Sequence, residues 1–131
     1  VSMEGSLKLK EISYIHSEAY AGGELKHGTI SLIEDGTLVV VLATYEPLID
    51  KIVSNLEEVK ARGASILAVT TEGEKRLEPV SDYIFYVPKT EEILQPSLTV
   101  IPLQLFAYYM AALNGCSIDK PRNLAKSVTV E

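Results

Sequence analysis

The chain has 131 residues and a mass of 14.3 kDa, room for one domain with a sizeable core but not for two of ordinary size. Its 12 Lys and Arg against 18 Asp and Glu leave a formal charge of −6, which argues against nucleic acid or an anionic membrane surface as a partner. With 47% hydrophobic and 23% charged residues the composition is that of a folded soluble protein, and a single cysteine, Cys116, excludes an internal disulfide and points to a reducing, cytoplasmic setting.

Taken in chain order, residues 3–15 read as a helix. At 100° per residue Ser6, Lys10 and Ser13 form its one polar side, while Met3, Leu7 and Tyr14 line one flank and Leu9, Ile12 and Ile15 the other, so the helix is expected to be mostly buried. Residues 16–28, with Gly22-Gly23 at the centre, read as a loop, and the short apolar run 30–33 as one or two helical turns. Leu38 to Ala43 is a continuous aliphatic run, the pattern of a parallel strand covered on both faces. That run is far shorter than the roughly 20 residues that span a bilayer, and no membrane segment is expected.

From Pro47 to Arg62, Ile49, Ile52, Val53, Leu56 and Val59 recur at helical spacing, with Pro47 near the start and Gly63 just past the end. Residues 66–69 and 83–87 are two further strands, separated by a polar stretch with room for one helical turn. Residues 98–113 are apolar on every side except at Thr99 and Gln104, which predicts a helix buried within the domain or against a partner. No repeat or linker divides the chain, so residues 1–131 are read as one domain ending in a polar tail, 117–131. The predicted fold class is α/β, a three-layer αβα sandwich around a parallel sheet of at least three strands.

Among residues that can carry chemistry, Glu11 stands out. In a helix over 3–15 its neighbours one turn away are Leu7 and Ile15, and a carboxylate in apolar surroundings favours its protonated form and suits general-base work near neutral pH. Lys8, three residues earlier on the same side, offers the plainer reading of a surface ion pair. His27 lies beside Gly28, where the backbone has room to approach a ligand, although such histidines are more often ordinary surface residues. Cys116 has no adjacent base pattern, no Cys and His cluster suggests a metal site, and Lys126 has nothing local to mark it. The loops after the first two strands, Thr44-Tyr45-Glu46 and Thr70-Thr71-Glu72-Gly73-Glu74, carry carboxylates instead of the glycines of a phosphate cradle.

Three stretches together resemble the C-terminal end of the glucosamine-6-phosphate synthase family, the isomerizing glutamine:fructose-6-phosphate aminotransferases. They are Glu4-Gly5-Ser6-Leu7-Lys8-Leu9-Lys10-Glu11-Ile12-Ser13-Tyr14, the segment from Glu18-Ala19-Tyr20 through Glu24-Leu25-Lys26-His27-Gly28, and the ending from Lys120-Pro121-Arg122-Asn123 to Glu131. The resemblance implies the second of that family's two SIS (sugar isomerase) subdomains, hence the SIS fold, within a longer natural chain.

It further implies that Glu11 is the base moving a proton between C1 and C2 of the sugar and that Lys8 is a site lysine beside it. His27 would assist ring opening from a neighbouring subunit, Lys126 would form a Schiff base with the open ketose, and Ala125 would lie near the sugar. Fructose 6-phosphate and glucosamine 6-phosphate would be substrate and product, the assembly a homodimer, with no cofactor or metal. The phosphate loops would belong to the other subdomain, so the chain alone is expected to be inactive. One departure is Thr29, where many members have proline. Two other functions fit the residues less well: a non-catalytic SIS module that binds sugar phosphates for regulation, and a purely structural dimerization domain.

Overall fold

The computed structural model describes residues 1–122. In chain order they form helix α1 (Ser2–Ser13), 3-10 turns at Gly22–His27 and Thr29–Leu32, strand β1 (Leu38–Ala43), a 3-10 turn at Glu46–Leu48, helix α2 (Ile49–Lys60), strands β2 (Ser65–Thr71) and β3 (Tyr83–Val87), and helix α3 (Gln95–Leu113). The chain divides into two compact units, one made of residues 1–19 with the chain from Leu103 onward, the other of residues 20–102.

The unit of residues 20–102 holds a parallel sheet in the order β1-β2-β3. Leu38 pairs with Ser65 and Ala43 with Thr70 at the two ends of the first ladder, while Leu67 pairs with Tyr83 and Thr71 with Val87 in the second. The core follows from the two periodicities. Ile66 and Ala68 point to one face of β2. There they meet Leu56 of α2 together with Ala43, Leu77 and Val80, and Ile52, Val53, Val41 and Ile84 pack around that cluster. Helix α2 begins after Pro47 and ends at Lys60, and the turn that follows it closes at Gly63, whose φ of 88° suits glycine. A Cβ on Gly63 would lie 2.7 Å from Asp35 Oδ1, so the turn packs tightly as well.

Three expectations about this unit needed correction. The aliphatic run of β1 does not mean burial on both faces: only Ala43 is buried and Leu38 is exposed, because β1 is an edge strand while β2 is central. The glycine-rich stretch is not all loop, since residues 22–27 close a 3-10 turn. Strand β2 also runs further than the apolar residues suggest, ending at Thr71, because buried Thr70 donates its hydroxyl to the Ala43 carbonyl at 2.7 Å.

In the other unit α1 ends earlier than expected. Tyr14 takes a left-handed conformation, φ 61° and ψ 17°, so Ile15 is no longer helical. The chain then turns back along the helix, where Ser6 Oγ donates to the Ser17 carbonyl at 3.0 Å and Ser17 Oγ to the Ser6 carbonyl at 3.1 Å. The expectation that α1 is mostly buried is overturned: within it only Gly5 and Ser13 are buried, and Met3 is 78% and Leu7 42% exposed. Ser13, assigned above to the polar side, satisfies its buried hydroxyl on the Leu9 carbonyl at 2.6 Å. Apolar residues spread around both flanks give no single face to bury, and the close contact is made instead by a glycine. A Cβ on Gly5 would sit 2.5 Å from Leu103 Cδ1 and 3.0 Å from Leu103 Cβ.

Helix α3 starts at Gln95, three residues before the expected position, because Gln95 accepts from the Thr90 amide at 3.2 Å and donates to the Pro88 carbonyl at 3.3 Å. Leu103, Ala107 and Ala111 form a buried stripe at four-residue spacing, but Ile101, Leu105, Tyr108, Tyr109 and Leu113 are exposed, so burial within the chain does not account for the apolar circumference. By length and composition this helix would also reach across a bilayer, which a count of unbroken apolar residues misses since Thr99 and Gln104 interrupt it. Pro102 lies inside it and removes one hydrogen bond of the ladder at the point where the two units divide.

Candidate functional site

On α1, the spacing of Glu4, Lys8 and Glu11 puts all three on one side of the helix. Lys8 Nζ lies 2.5 Å from Glu11 Oε2 and 3.6 Å from Glu4 Oε1. The hydrogen bond to Glu11 holds the Lys8 ammonium above its ordinary pKa. The Glu11 side chain keeps 29% of its accessible surface, with a cation on one oxygen. The premise of an apolar cage around Glu11 therefore fails: Ile15 lies beyond the helix and Lys8 occupies the carboxylate. What the site offers instead is a reachable proton acceptor with a fixed positive charge beside it.

His27 is the last residue of the Gly22–His27 turn and is exposed. Gly28, which follows, has φ 133°, a conformation closed to side chains, and this is why glycine stands there. The turn is fastened to α2 twice. Asn55 Nδ2 donates to the Gly22 carbonyl at 3.1 Å, and Lys26 Nζ pairs with Glu58 Oε1 at 2.5 Å. His27 is thus presented from a tethered turn and not from a free loop.

Lys8 and Glu11 belong to one compact unit and His27 to the other, while Ala125 and Lys126 lie outside the described residues. Of the five candidate residues, then, the structure brings together Lys8 and Glu11.

Two features were not anticipated from sequence. At the carboxyl ends of the strands, Arg76 donates to Glu74 at 2.6 Å, to Asp50 at 2.9 Å and to Glu46 at 3.1 Å, and these bonds push the guanidinium pKa further up. Beside it an open depression of about 430 Å³ is lined by Glu72, Gly73, Glu74, Lys75, Glu78 and Tyr86. With its guanidinium committed to three carboxylates, Arg76 is not an anion receptor, in keeping with loops that read as poor phosphate cradles. The second feature is the contact of Tyr14 with Arg122, whose backbone N–H donates to Tyr14 Oη at 2.9 Å and whose guanidinium carbon sits 4.0 Å from the ring centroid. A spacing of 108 residues leaves no periodic signal for such a contact.

Comparison with known proteins gives these positions a context. The SIS domain family matches residues 1–114. The whole chain is 63% identical to a glutamine--fructose-6-phosphate aminotransferase (isomerizing) of Caldanaerobacter subterraneus and 62% identical to one of Clostridium acetobutylicum, spanning 22% of the length of each. Among solved structures it is similar to the C-terminal domain of glucosamine-fructose-6-phosphate aminotransferase from Francisella tularensis, with a TM-score of 0.80 and 36% identity over 89% of this chain and 33% of that one. It is also similar to a glucosamine-6-phosphate deaminase from Thermotoga maritima, with a TM-score of 0.77 and 30% identity over 98% of this chain and 36% of that one. The parallel three-stranded sheet with its helices agrees with the αβα class of these neighbours.

Proposed function

Because the chain belongs to the SIS domain family, we propose that it supplies part of the isomerase site of an isomerizing glutamine:fructose-6-phosphate aminotransferase. The observation that carries this reading is identity of 63% along the entire chain to a relative of that name, and the residues that the resemblance picks out for the reaction are Glu11, His27 and Lys126. A module that only bound sugar phosphates would need neither a base nor an amine able to form a Schiff base.

In this reading Glu11 removes the proton at C1 of the fructosimine phosphate and returns it at C2. The Lys8 ammonium, 2.5 Å from the carboxylate, holds it in one orientation and offsets negative charge that builds on the sugar during the transfer. His27 assists ring opening by moving a proton from the anomeric hydroxyl to the ring oxygen as the ring C–O bond breaks, presented on its tethered turn to the site of a neighbouring subunit. Lys126 captures the open ketose as a Schiff base, and Ala125 lies beside the sugar. The phosphate is held by residues outside this chain, since the strand-end loops described here are acidic. The setting is cytoplasmic and the assembly a homodimer, for which the exposed side of α3, with Leu105, Tyr108 and Leu113, offers apolar surface.

The test is Glu11→Gln in the natural chain that carries these residues. Isomerization should fall by roughly 10²- to 10⁴-fold while glutamine hydrolysis and the melting temperature hold. Full isomerase activity in that variant would overturn the assignment of the base.

A further inference from the structure

The turn that carries His27 has little packing to hold it in place. None of its six residues, Gly22–His27, is buried, and Leu25 alone is half-buried. It opens on two glycines, which leave the backbone freer than other residues would. Polar contacts to α2 therefore set its position. Asn55 stands beside Leu56 and one turn before Val59, both buried, and keeps only 9% of its own surface accessible. Asparagine suits a helix interior poorly, and a buried amide is costly unless it is bonded. Here Asn55 Nδ2 donates to the Gly22 carbonyl at 3.1 Å. Three residues further along α2, Glu58 Oε1 accepts from Lys26 Nζ at 2.5 Å.

We propose that Asn55 is a positioning residue for ring opening: together with Glu58 it lays the Gly22–His27 turn along α2 and so sets where the His27 imidazole is presented. The proposal rests on the reading of His27 given above. The two fastenings run in the same order along both elements, Gly22 to Asn55 and then Lys26 to Glu58. Four residues of 3-10 turn advance about 8 Å and three of α-helix about 4.5 Å, a difference that the long side chains of Lys26 and Glu58 make up. One fastening would leave the turn free to swivel about it; two fix its direction. The second lies one residue before His27. On the other side, the Gly28 carbonyl accepts from the Ser31 amide at 3.0 Å and from Ser31 Oγ at 2.6 Å, so the histidine stands between two held neighbours. A group that passes a proton between two oxygens must keep within hydrogen-bond reach of both, and a displacement of about 1 Å is enough to slow it. Asn55 touches no sugar in this account; it acts through His27.

The experiment compares wild type with Asn55→Leu, Lys26→Met, Lys26→Arg and His27→Ala in the natural chain that carries these residues. Asn55→Leu keeps the bulk, favours the helix and deletes only the donor. Each protein is given two substrates: fructose 6-phosphate, mostly a closed furanose, and 5-deoxyfructose 6-phosphate, which lacks the hydroxyl that closes the ring and is always open. Asn55→Leu should lower kcat on fructose 6-phosphate about 10- to 100-fold at nearly constant KM and leave the open analogue within about 2-fold of wild type. Lys26→Met, at an exposed pair, should lose about 2- to 5-fold on fructose 6-phosphate alone, and Lys26→Arg should recover it. Glutamine hydrolysis and melting temperature should hold. Exchange of the Glu24 amide, which bonds the Ala21 carbonyl at 2.8 Å inside the turn, should quicken at least about 10-fold in Asn55→Leu. Where His27→Ala is slowed on the closed sugar alone, an unchanged kcat or equal losses on the two substrates in Asn55→Leu overturn the positioning role; if Asn55→Leu melts early, Lys26→Met decides by the same split. If His27→Ala slows both substrates equally, or neither, the role of His27 in ring opening falls, and exchange then decides the tether alone: equal rates in wild type and Asn55→Leu overturn it, and a faster rate in the variant sustains it.

Discussion

Helices α1 and α2 each have twelve residues, yet they hold to their surroundings in opposite ways. In α2 the apolar residues fall on one side, and Ile49, Leu56 and Val59 are almost wholly buried. In α1 they are spread around the circumference, the long side chains of Met3 and Leu7 stay exposed, and contact is made through Gly5 and Ser13. Periodicity locates a buried face when apolar side chains make it, as in α2. It has little to say when small residues do, because glycine and serine leave no mark on a hydrophobic pattern.

The contrast is most sharply broken by truncation. Leu56→Ala removes a side chain that is 2% exposed at the centre of the sheet unit's cluster, and should cost about 2–5 kcal/mol. Leu7→Ala, at a site 42% exposed, should cost less than about 1 kcal/mol. Denaturant unfolding of both variants checks the difference, and equal losses would mean that α1 is held by its apolar side chains after all.

Enlargement makes the complementary test at an intermediate scale. Gly5→Ala places a methyl group 2.5 Å from Leu103 Cδ1 and 3.0 Å from Leu103 Cβ, so Leu103 must change rotamer and give by a few tenths of an ångström at its Cβ, at a cost of about 1–3 kcal/mol. Helix propensity alone would make the same change stabilising. The sign of the shift in unfolding midpoint thus decides between close packing and propensity.

The smallest effects are electrostatic, and they separate the helices by pH. At the end of α2, Lys60 reaches Asp82 at 3.5 Å; the Asp82 carboxylate accepts from the Ile66 amide at 2.7 Å, and that bond chiefly, with Lys60, holds its pKa below the ordinary value. A depressed carboxyl stabilises the fold above its unfolded pKa, near about 4, and loses that contribution as pH falls through the lower folded value. Lys8 of α1 is raised by Glu11, so its contribution is full below about 10 and is lost as pH rises through the folded value. Asp82→Asn should melt a few degrees below wild type at neutral pH, with the gap closing in acid. Lys8→Met should show a smaller gap that closes only in alkali. Melting curves across the pH range check both, and gaps independent of pH would remove the ionic account.

Much of the architecture was legible in the residues. Leu38 to Ala43 and Tyr83 to Val87 are strands at the expected positions, and α2 lies between its proline and its glycine. Strand and helix type follow from period and β-branching, which are local. Burial was less legible: β1 has the apolar richness of a covered strand but stands at the sheet edge, and α3 is apolar on sides that the chain leaves exposed. Glu11 drew attention as a charge among apolar neighbours, but the neighbours expected of it depended on a helix that Tyr14 ends early. His27 and Lys126 were singled out through family resemblance, because a histidine beside glycine and a lysine in a polar tail carry no physical signature of their own.

The sequence by itself determined the element types, the α/β class, the acidic strand-end loops and the adjacency of Lys8 and Glu11, all of which rest on spacings of a few residues. Only the tertiary structure decided that Glu46 and Asp50 reach Arg76, that Gly5 admits Leu103, and that Tyr14 turns left-handed beneath Arg122. Those arrangements join residues far apart along the chain. Their partners are chosen by the path of the folded backbone, which no local periodicity records.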